Sequence, residues 1–355
     1  VGAVAAIAGI MISQHLGMGN GEMADRSLSV NLTAVTALAA LFTVLCLLFP
    51  RQIVHIFIAD DLAIMEQGAG YLARISWTYF PLGIASILSV MIRCMDRSAY
   101  PLYAGMTSAA VNTALNYVLI FGRFGFPALG VAGAAVASVI SQLVNLLLIL
   151  AMFYRLKVRK GGFCFALTLG PEGWRQFFWM LLPVLVNEFL WSVGQNVNTY
   201  IYGHIGTKDL AAMSVTGPVQ GLFIGALGGI SQAAGILIGK RLGAKEYEAA
   251  YGESKRLLRY GFIGSLLLSA LLILLRGPYV LLYKVEPDVQ AAAADLLLAF
   301  AVLAPVKVAN MILGGGIIRS GGKTSYIMVI DLIGTWLVGV PLGLVTAFVF
   351  HLPVV

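Results

Sequence analysis

A carboxylate lies near the middle of a long apolar stretch. The segment from Leu182 to Gly203 reads LPVLVNEFLWSVGQNVNTYIYG and holds a single acid, Glu188. On a helix this acid shares a polar side with amide and aromatic residues, and the opposite side is apolar. The neighbours on the polar side that we predict to line a substrate cavity are Asn187, Trp191, Gln195 and Asn198. An ionised carboxylate near the bilayer centre costs about 2.5–3.5 kcal/mol, so it indicates an ion pathway or a wet cavity.

Two other charged residues lie deep in apolar segments of the same half of the chain. Asp331 lies in IMVIDLIGTWLVGVP and Lys307 in FAVLAPVKVANMIL. In one interpretation Glu188 is the principal ion-coupling residue, Asp331 is a second coupling acid and Lys307 is a counter-ion that modulates them. In the other, a fixed ion pair only orders this half of the protein. The spacing along the chain leaves both interpretations open.

Amide side chains form a second polar group in the first half of the chain. Asn112 and Asn116 are one helical turn apart and share a face. They could line a substrate path, or they could hydrogen bond between neighbouring membrane helices, as paired amides commonly do. Both roles stay open.

The sequence lacks the patterns of a catalytic site. Its four histidines are scattered, its three cysteines are far apart, and no phosphate-binding loop or His-Glu-x-x-His motif occurs. An intramembrane enzyme would show paired acids or metal ligands, and a channel would more often be a symmetric oligomer with a short pore loop. We therefore expect no enzyme, no metal site and no cofactor beyond a coupling ion, either a proton or a sodium ion.

The elements that must position these residues are membrane helices. The chain of 355 residues is 59% hydrophobic and 11% charged, with a mean hydropathy of +0.90, whereas a soluble domain carries roughly 25% charged residues. Apolar intervals of about 20 residues, the length of a helix that crosses a bilayer, alternate with charged loops. We predict an all-α polytopic membrane protein. Its ten visible spans are residues 1–14, 28–50, 66–92, 101–121, 129–154, 177–202, 212–239, 258–283, 292–318 and 325–350.

The basic residues predict the orientation. Sixteen lie in the loops after the first, third, fifth, seventh and ninth spans, and five lie in the opposite loops. By the positive-inside rule the first set is cytoplasmic. The net charge of +7 therefore suits anionic lipid headgroups, and we expect no nucleic-acid partner.

The sequence contains an internal repeat. Residues of the first half match residues of the second half at one constant separation along the chain, the separation between Leu16 and Leu242. The matches are Leu16-Gly17 with Leu242-Gly243, Glu22 with Glu248, Ala24 with Ala250, Asp60 with Glu286, Ile92-Arg93 with Ile318-Arg319, Ser98 with Thr324 and Tyr100 with Tyr326. An even number of spans separates each pair, so the two halves have the same orientation. We predict two parallel six-helix repeats, twelve helices when intact and about ten here, in a chain truncated at both ends.

The predicted domains follow from this repeat. Residues 1–154 form an N-terminal lobe that lacks its first helix and part of its second. Residues 155–175 form a cytoplasmic linker rich in basic residues. Residues 176–355 form a C-terminal lobe that lacks its last helix.

Several stretches resemble the multidrug and toxic compound extrusion (MATE) transporters. They are NTALNYVLIFGRFGFPALGVAGAAVAS at 112–138, the loops HLGMGNGEMA and KRLGAKEYEAA, and RCMDRSAYP. The resemblance covers essentially the whole chain. It implies a two-lobe antiporter that exports organic, often cationic, compounds in exchange for protons or sodium ions by alternating access. It also implies an important acid on the helix of Glu188.

The chain departs from the family pattern in two places. The family element Arg-Gly-x-Gly-Asp-Thr reads Arg-Cys-Met-Asp-Arg-Ser here, so Arg97 stands at the acidic position and Lys323 stands at its repeat mate. The first family helix, which holds an ion-coupling aspartate in many members, lies outside the chain. Whether the N-terminal lobe takes part in coupling therefore stays open.

A lipid-linked oligosaccharide flippase of the same broad group is the alternative function. Its larger cavity would need several basic residues for the diphosphate, and only Arg74 and Lys307 lie within predicted spans. The first choice remains an exporter of small organic substrates. We expect a monomeric, multi-pass protein of the bacterial cytoplasmic membrane, embedded in the lipid bilayer.

Overall fold

The computed structural model describes residues 1–55, 62–158, 166–167 and 169–348. Within these ranges the chain is almost entirely helical and contains no β-strand. The α-helices are α1 (Gly2–Gly17), α2 (Gly21–Leu48), α3 (Pro50–His55), α4 (Leu62–Ile75), α5 (Tyr79–Cys94), α6 (Ala99–Phe121), α7 (Val131–Val158), α8 (Gly170–Ile205), α9 (Thr207–Gly243), α10 (Tyr247–Val280), α11 (Pro287–Met311), α12 (Thr324–Leu332) and α13 (Val340–Phe348). Asp60 of the repeat, much of the predicted linker and the end of the last predicted span lie outside the described residues.

Three short segments of other helical type join these elements. A 3₁₀ turn at Ser76–Thr78 connects α4 with α5. A π-helical segment, Ile312–Ile318, continues α11, and a second one, Ile333–Gly339, connects α12 with α13. As far as the structure describes them, the predicted spans 66–92, 292–318 and 325–350 are therefore continuous rods, each built from two helical types.

Eight rods in the described ranges are long and apolar enough to cross a membrane. They are α2, α4 with α5, α7, α8, α9, α10, α11 with its π segment, and α12 with α13. Helix α1 is shorter, with 16 residues, and α6, with 23 residues, is not among the eight. The prediction of an all-α polytopic membrane protein is confirmed.

Local sequence signals set several helix ends. Asn20 precedes α2, and its side-chain oxygen accepts a hydrogen bond from the backbone N–H of Met23 at 3.0 Å, as an N-cap does. Pro287 opens α11 at a position where its missing N–H leaves no bond unmade. Gly122 follows α6 with a left-handed backbone, φ 64°, which ends the helix at no steric cost.

The described chain divides into two compact units, Val1–Gly173 and Trp174–Val355. The division falls within the first turns of α8, inside the segment predicted as the linker between lobes. In the second unit, α9, α10 and α11 enclose the apolar core, with Leu297, Val308 and Ile312 fully buried. Many other large apolar side chains are exposed, as expected where lipid replaces water.

Two pairs of turns, those after α1 and α9 and those after α5 and α11, show the predicted repeat. Gly19 and Lys245, related by the offset of the repeat, both have a left-handed backbone, with φ 74° and 61°. Asp96 and Gly322, related by the same offset, have φ 62° and 77°. A left-handed φ is uncommon outside glycine. Its recurrence at equivalent positions indicates that the two turns of each pair have the same backbone conformation.

Helices α6 and α7 form a tight hairpin in the first unit. The N–H of Leu129 in the connecting loop donates back to the carbonyl of Leu119 at 2.9 Å. Gly133 then passes so close to α6 that a Cβ there would lie 2.6 Å from the Leu119 oxygen. This part of the 112–138 block therefore requires glycine for close helix approach.

The π segment at 312–318 packs closely against α9 in the second unit. The hydroxyl of Ser231 donates to the carbonyl of Met311 at 2.9 Å, where the α-helix changes to π geometry. A Cβ at Gly316 would lie 2.6 Å from the Ser231 carbonyl oxygen. A side chain from α9 thus satisfies a carbonyl at an irregular point of a membrane helix, as the bilayer requires.

We expect Gly133→Ala to destabilise the hairpin by about 1–3 kcal/mol, because the new methyl group must push α7 away from the backbone of α6. The matched control is Gly105→Ala in α6, where no atom lies within 4 Å of the added Cβ. The control should be neutral or stabilising by up to about 1 kcal/mol, since alanine favours a helix. Thermal unfolding of the purified protein in detergent measures both, and equal Tm values would contradict the packing argument.

Candidate ion-coupling and substrate-binding site

Helix α8 presents the predicted site on two adjoining faces. One face is buried and recurs every seven residues, at Asn187, Gly194 and Ile201. The neighbouring face is exposed and carries Glu188 and Trp191, of which the tryptophan is 58% exposed. Gln195 is also exposed, and the side chain of Asn198 lies outside the described residues. The predicted polar side of α8 therefore divides into two stripes. The packing stripe is the buried one, with Asn187, Gly194 and Ile201, and the open stripe is the exposed one, with Glu188, Trp191 and Gln195.

The packing stripe runs along α12 and α13. The contacts are Asn187 with Asp331, Gly194 with Thr335, and Ile201 with Gly343. Residue numbers rise together in the three pairs, so the two rods run parallel. A spacing of seven residues keeps one face of a helix against its neighbour. The glycines permit close approach, because a Cβ at position 194 would lie 2.9 Å from the Thr335 methyl carbon.

The first of these contacts is a hydrogen bond between two predicted site residues. The Nδ2 of Asn187 donates to Oδ2 of Asp331 at 2.8 Å. Asn187 is only 8% exposed, and Asp331 is half-buried. A hydrogen bond to a charged group contributes about 1.5–3 kcal/mol, and losing it in a buried place costs a similar amount. The structure thus brings Asn187 and Asp331 together across the rods.

Glu188 differs from Asp331 in having no partner in the described part of the chain. Its side chain is exposed, and it makes no hydrogen bond or ion pair with the described residues. It lies near the middle of a 32-residue span. An acid at that depth is costly and marks a candidate functional site.

Lys307 lies on α11 and contacts an aromatic ring. Its Nζ lies 5.8 Å from the centroid of the Phe300 ring, within the range of a cation–π interaction. Among the described residues it forms no ion pair with Glu188 or Asp331. Its predicted role as a counter-ion stays a prediction, since the described geometry shows only the aromatic contact.

The predicted amides of the first unit lie on α6, and one of them bonds to α7. Asn112 Nδ2 donates to the Ser141 hydroxyl of α7 at 3.2 Å, whereas Asn116 Nδ2 donates to Asn112 Oδ1 within α6 at 3.0 Å. Ser108 adds a bond from its hydroxyl to the Ser141 carbonyl at 2.7 Å. The structure therefore shows the interhelical role for Asn112, and Asn116 bonds to that same side chain. Their role in lining a substrate cavity stays a prediction.

Sequence reasoning missed a buried ion pair in the first unit. Lys157, near the end of α7, pairs with Asp25, near the start of α2, and each side chain is only 11% exposed. Beside it, the N–H of Ala166 donates to the Ser29 hydroxyl at 3.3 Å. The pair joins residues 132 positions apart, and no local pattern marks either as buried. The only signal was an acid one turn inside a long apolar helix.

A second ion cluster lies outside the spans of the second unit. Lys208, at the start of α9, bonds to Asp288 at 2.9 Å and to Glu286 at 3.0 Å, both at the start of α11. The hydrogen bond to Asp288, followed by that to Glu286, holds the pKa of the ammonium above its usual range. The lysine therefore stays charged, although the cluster is exposed and contributes little to stability.

Comparison with known proteins adds a family to this geometry. The MatE family model matches residues 3–118 and 183–345. An uncharacterized transporter YisQ of Bacillus subtilis is 24% identical over 335 residues, which cover 94% of this chain and 73% of the relative. A probable multidrug resistance protein NorM of Bacillus thuringiensis is 28% identical over 289 residues, covering 79% of this chain and 62% of the relative. The chain therefore spans less than two thirds of that relative.

Solved structures show the same fold. An outward-facing multidrug resistance MATE family transporter of the MOP superfamily superposes with a TM-score of 0.85 and 18% identity, covering 97% of this chain and 76% of its own. A MOP superfamily transporter from Pyrococcus furiosus, described as having a binding pocket of reverse polarity, superposes with a TM-score of 0.83 and 18% identity, covering 99% and 78%. At such identities the likeness concerns the fold alone.

We expect Asn187→Leu to lower the free energy of unfolding by about 1–3 kcal/mol, because Asp331 loses its donor in a half-buried place. The matched control is Asn196→Leu on the same helix, since Asn196 is exposed and its side chain bonds only to the Ser192 carbonyl one turn away. The control should change stability by less than about 0.5 kcal/mol. Equal losses in a thermal unfolding assay would show that the Asn187–Asp331 bond is not a specific contact.

We expect Asp25→Asn to lower stability by about 3 kcal/mol, because the Lys157 ammonium stays buried without its carboxylate. Glu66→Gln is the control, since it breaks the Arg51–Glu66 pair, in which both side chains are exposed. That pair should contribute less than about 1 kcal/mol. The comparison uses unfolding midpoints in one detergent, and a smaller loss for Asp25→Asn than for the control would contradict a buried pair.

Proposed function

The chain belongs to the MatE family of multidrug and toxic compound extrusion transporters, and we propose that its complete protein is a secondary active multidrug exporter. The family consists of transporters rather than enzymes, and the chain is a multi-pass protein of the cell membrane. The proposed activity is export of organic, often cationic, compounds in exchange for protons or sodium ions. Relatives named as probable multidrug resistance proteins support the substrate class.

One observation carries the proposal of ion coupling. Glu188 is an exposed carboxylate near the middle of a membrane span, and it has no partner among the described residues. An acid at this depth is costly unless it is used. A carboxylate without a fixed partner can bind a proton or sodium ion from one side of the membrane and release it to the other.

The residues around Glu188 suit an organic cation. Trp191 is exposed one turn further along α8 and offers an aromatic face, and Gln195 offers an exposed amide. Aromatic faces attract cations by about 0.5–2 kcal/mol, more when water is excluded. A substrate cation and the coupling ion would then compete for the same carboxylate, which is the physical basis of exchange.

Asn187 and Asp331 support this arrangement from the buried side. Their hydrogen bond fixes α8 against α12 directly beside Glu188. Asp331 is the proposed second coupling acid, and Lys307 is the proposed modulator of charge in the same unit. Asn198, Asn112 and Asn116 remain proposed cavity residues.

The two-lobe repeat supports alternating access as the mechanism. In transporters built from repeats, the substrate site lies near the middle of the membrane and opens to each side in turn. The π segments at 312–318 and 333–339 supply irregular points in two rods of the second unit. Such segments are frequent at functional sites.

The alternative is a flippase for lipid-linked oligosaccharides. It would need several cations in the cavity to hold a diphosphate. Arg74, one of two basic candidates from the sequence, instead donates to the Gly70 carbonyl of its own helix at 2.8 Å. Lys307 is left as the remaining candidate. A single cation favours an exporter of small organic compounds.

We expect Glu188→Gln to reduce gradient-driven efflux to the level measured without a gradient, because the amide cannot release a proton or bind sodium as a carboxylate does. The complete protein is reconstituted into vesicles, a proton or a sodium gradient is imposed, and transport of a fluorescent organic cation is recorded. The gradient that drives transport identifies the coupling ion.

The matched control is Glu172→Gln, which removes an exposed acid from the first turn of the same helix. It should leave efflux unchanged. Unchanged efflux for Glu188→Gln would overturn the coupling role. Transport of a lipid-linked oligosaccharide in place of the organic cation would favour the flippase.

A further inference from the structure

Two arginines at equivalent positions of the two repeats each have a buried side-chain nitrogen without a hydrogen-bond acceptor among the described residues. Arg93 lies in the last turn of α5, and Arg319 directly follows the π segment after α11. Both are half-buried, and in each the Nε is buried without a hydrogen bond in the described chain. A buried guanidinium N–H without an acceptor carries an uncompensated desolvation cost. Each arginine therefore requires an acceptor.

The backbone carbonyl of each arginine already accepts a hydrogen bond, so it does not need the guanidinium as a donor. The N–H of Asp96 donates to the Arg93 carbonyl at 3.0 Å, and the N–H of Gly322 donates to the Arg319 carbonyl at 3.0 Å. Left-handed turns of this kind satisfy the last carbonyls of a helix by themselves. The two guanidinium groups are therefore not required to cap the helix ends.

Acidic side chains do not account for them either. Neither Arg93 nor Arg319 forms an ion pair with an acid of the described chain. The turn after Arg93 contains an acid, Asp96, whereas the equivalent position after Arg319 is Gly322, which carries no charge. A negative partner common to both repeats must therefore come from outside these turns.

The surroundings of both turns suit the level of the lipid headgroups. Each turn has a second basic residue four positions later, Arg97 or Lys323, and both are exposed. A tyrosine follows three residues further on, and the ring of Tyr326 lies 5.7 Å from the Lys323 Nζ. Tyrosine is enriched at membrane interfaces, and basic residues are enriched on the cytoplasmic side. Phosphate is the main anion at this depth.

We propose that each turn binds a phosphate group through its arginine, Arg93 in the first repeat and Arg319 in the second. A guanidinium binds phosphate through two parallel N–H bonds, a geometry that an ammonium cannot reproduce. The location at the ends of membrane rods makes the phosphate that of an anionic phospholipid in the cytoplasmic leaflet. This site is independent of the coupling role of Glu188.

The test measures stabilisation of the complete protein by added lipid. Phosphatidylglycerol, phosphatidylcholine or inorganic phosphate is titrated into the purified protein in detergent, and Tm is recorded. We expect phosphatidylglycerol to raise Tm more than the other two, because a ligand that binds only the folded state stabilises it. Arg93→Gln and Arg319→Gln should each lose about half of this gain, and the double variant nearly all of it, since independent sites add.

The control is Arg259→Gln, which removes one positive charge from an exposed position on α10. It should keep the full gain. An equal loss in the control would show general attraction between charges and would overturn the proposal. Equal stabilisation by the two lipids would overturn it too. A gain with inorganic phosphate that the arginine variants lose would overturn the lipid as source and uphold the phosphate site.

A second pair of variants keeps the test decisive if a glutamine variant does not fold. Arg93→Lys and Arg319→Lys preserve the charge and remove the paired N–H geometry. We expect them to fold and to show a smaller preference for phosphatidylglycerol over phosphatidylcholine than the natural protein. An unchanged preference would mean that charge alone suffices, which contradicts phosphate binding by the guanidinium.

Discussion

Hydrocarbon offers no hydrogen-bond partner, so a polar group at membrane depth must find a partner within the protein. A group without a partner there destabilises the protein. Helices meet this demand for the backbone across all the spans described. Where the helix changes type at Ile312–Ile318, the Ser231 hydroxyl bonds to the Met311 carbonyl. The close approach of α9 at Gly316 makes this bond possible. At this π segment a neighbouring helix thus completes the bonding of the irregular backbone.

The same constraint organises the side chains. Asn112 bonds across α6 and α7, Asn187 bonds across α8 and α12, and Lys157 pairs with Asp25 across α7 and α2. Each of these bonds ties one rod to another. Polar residues that find partners act as cross-links within a unit. Those without a partner in the described part of the chain, Glu188 foremost, are the ones to which we propose to assign binding.

The two repeats have turns of the same backbone conformation, but they differ in the side chains that pack between their helices. In the first unit a Cβ at Gly83 would lie 2.9 Å from Val35 Cγ2, whereas the equivalent of Val35 is Gly261, which faces Ile312. The glycine thus lies on the other rod in the second unit, and a β-branched side chain faces it in both units.

Charge shows the sharper difference between the units. In the first unit Lys157, at the end of α7, and Asp25 form a buried ion pair. In the second unit Glu188 and Lys307 lie in the middle of spans without an ionic partner among the described residues. A bound ion or a charged substrate can compensate an unpaired charge, whereas a paired one is already satisfied. The unpaired charges at mid-span support our proposal that ion coupling takes place in the second unit.

Composition and spacing along the chain determined the fold class, the predicted spans, the internal repeat and the polar side of α8. These are properties of neighbouring residues, since hydropathy and helical periodicity act locally. The tertiary structure decided which polar residues meet, as with Asn187 and Asp331, 144 positions apart. It also decided that Asp25 is buried, that two rods contain π segments, and that Glu188 is exposed and without a partner among the described residues. Such contacts depend on how rods pack in three dimensions, and no periodicity within one rod specifies the face of another.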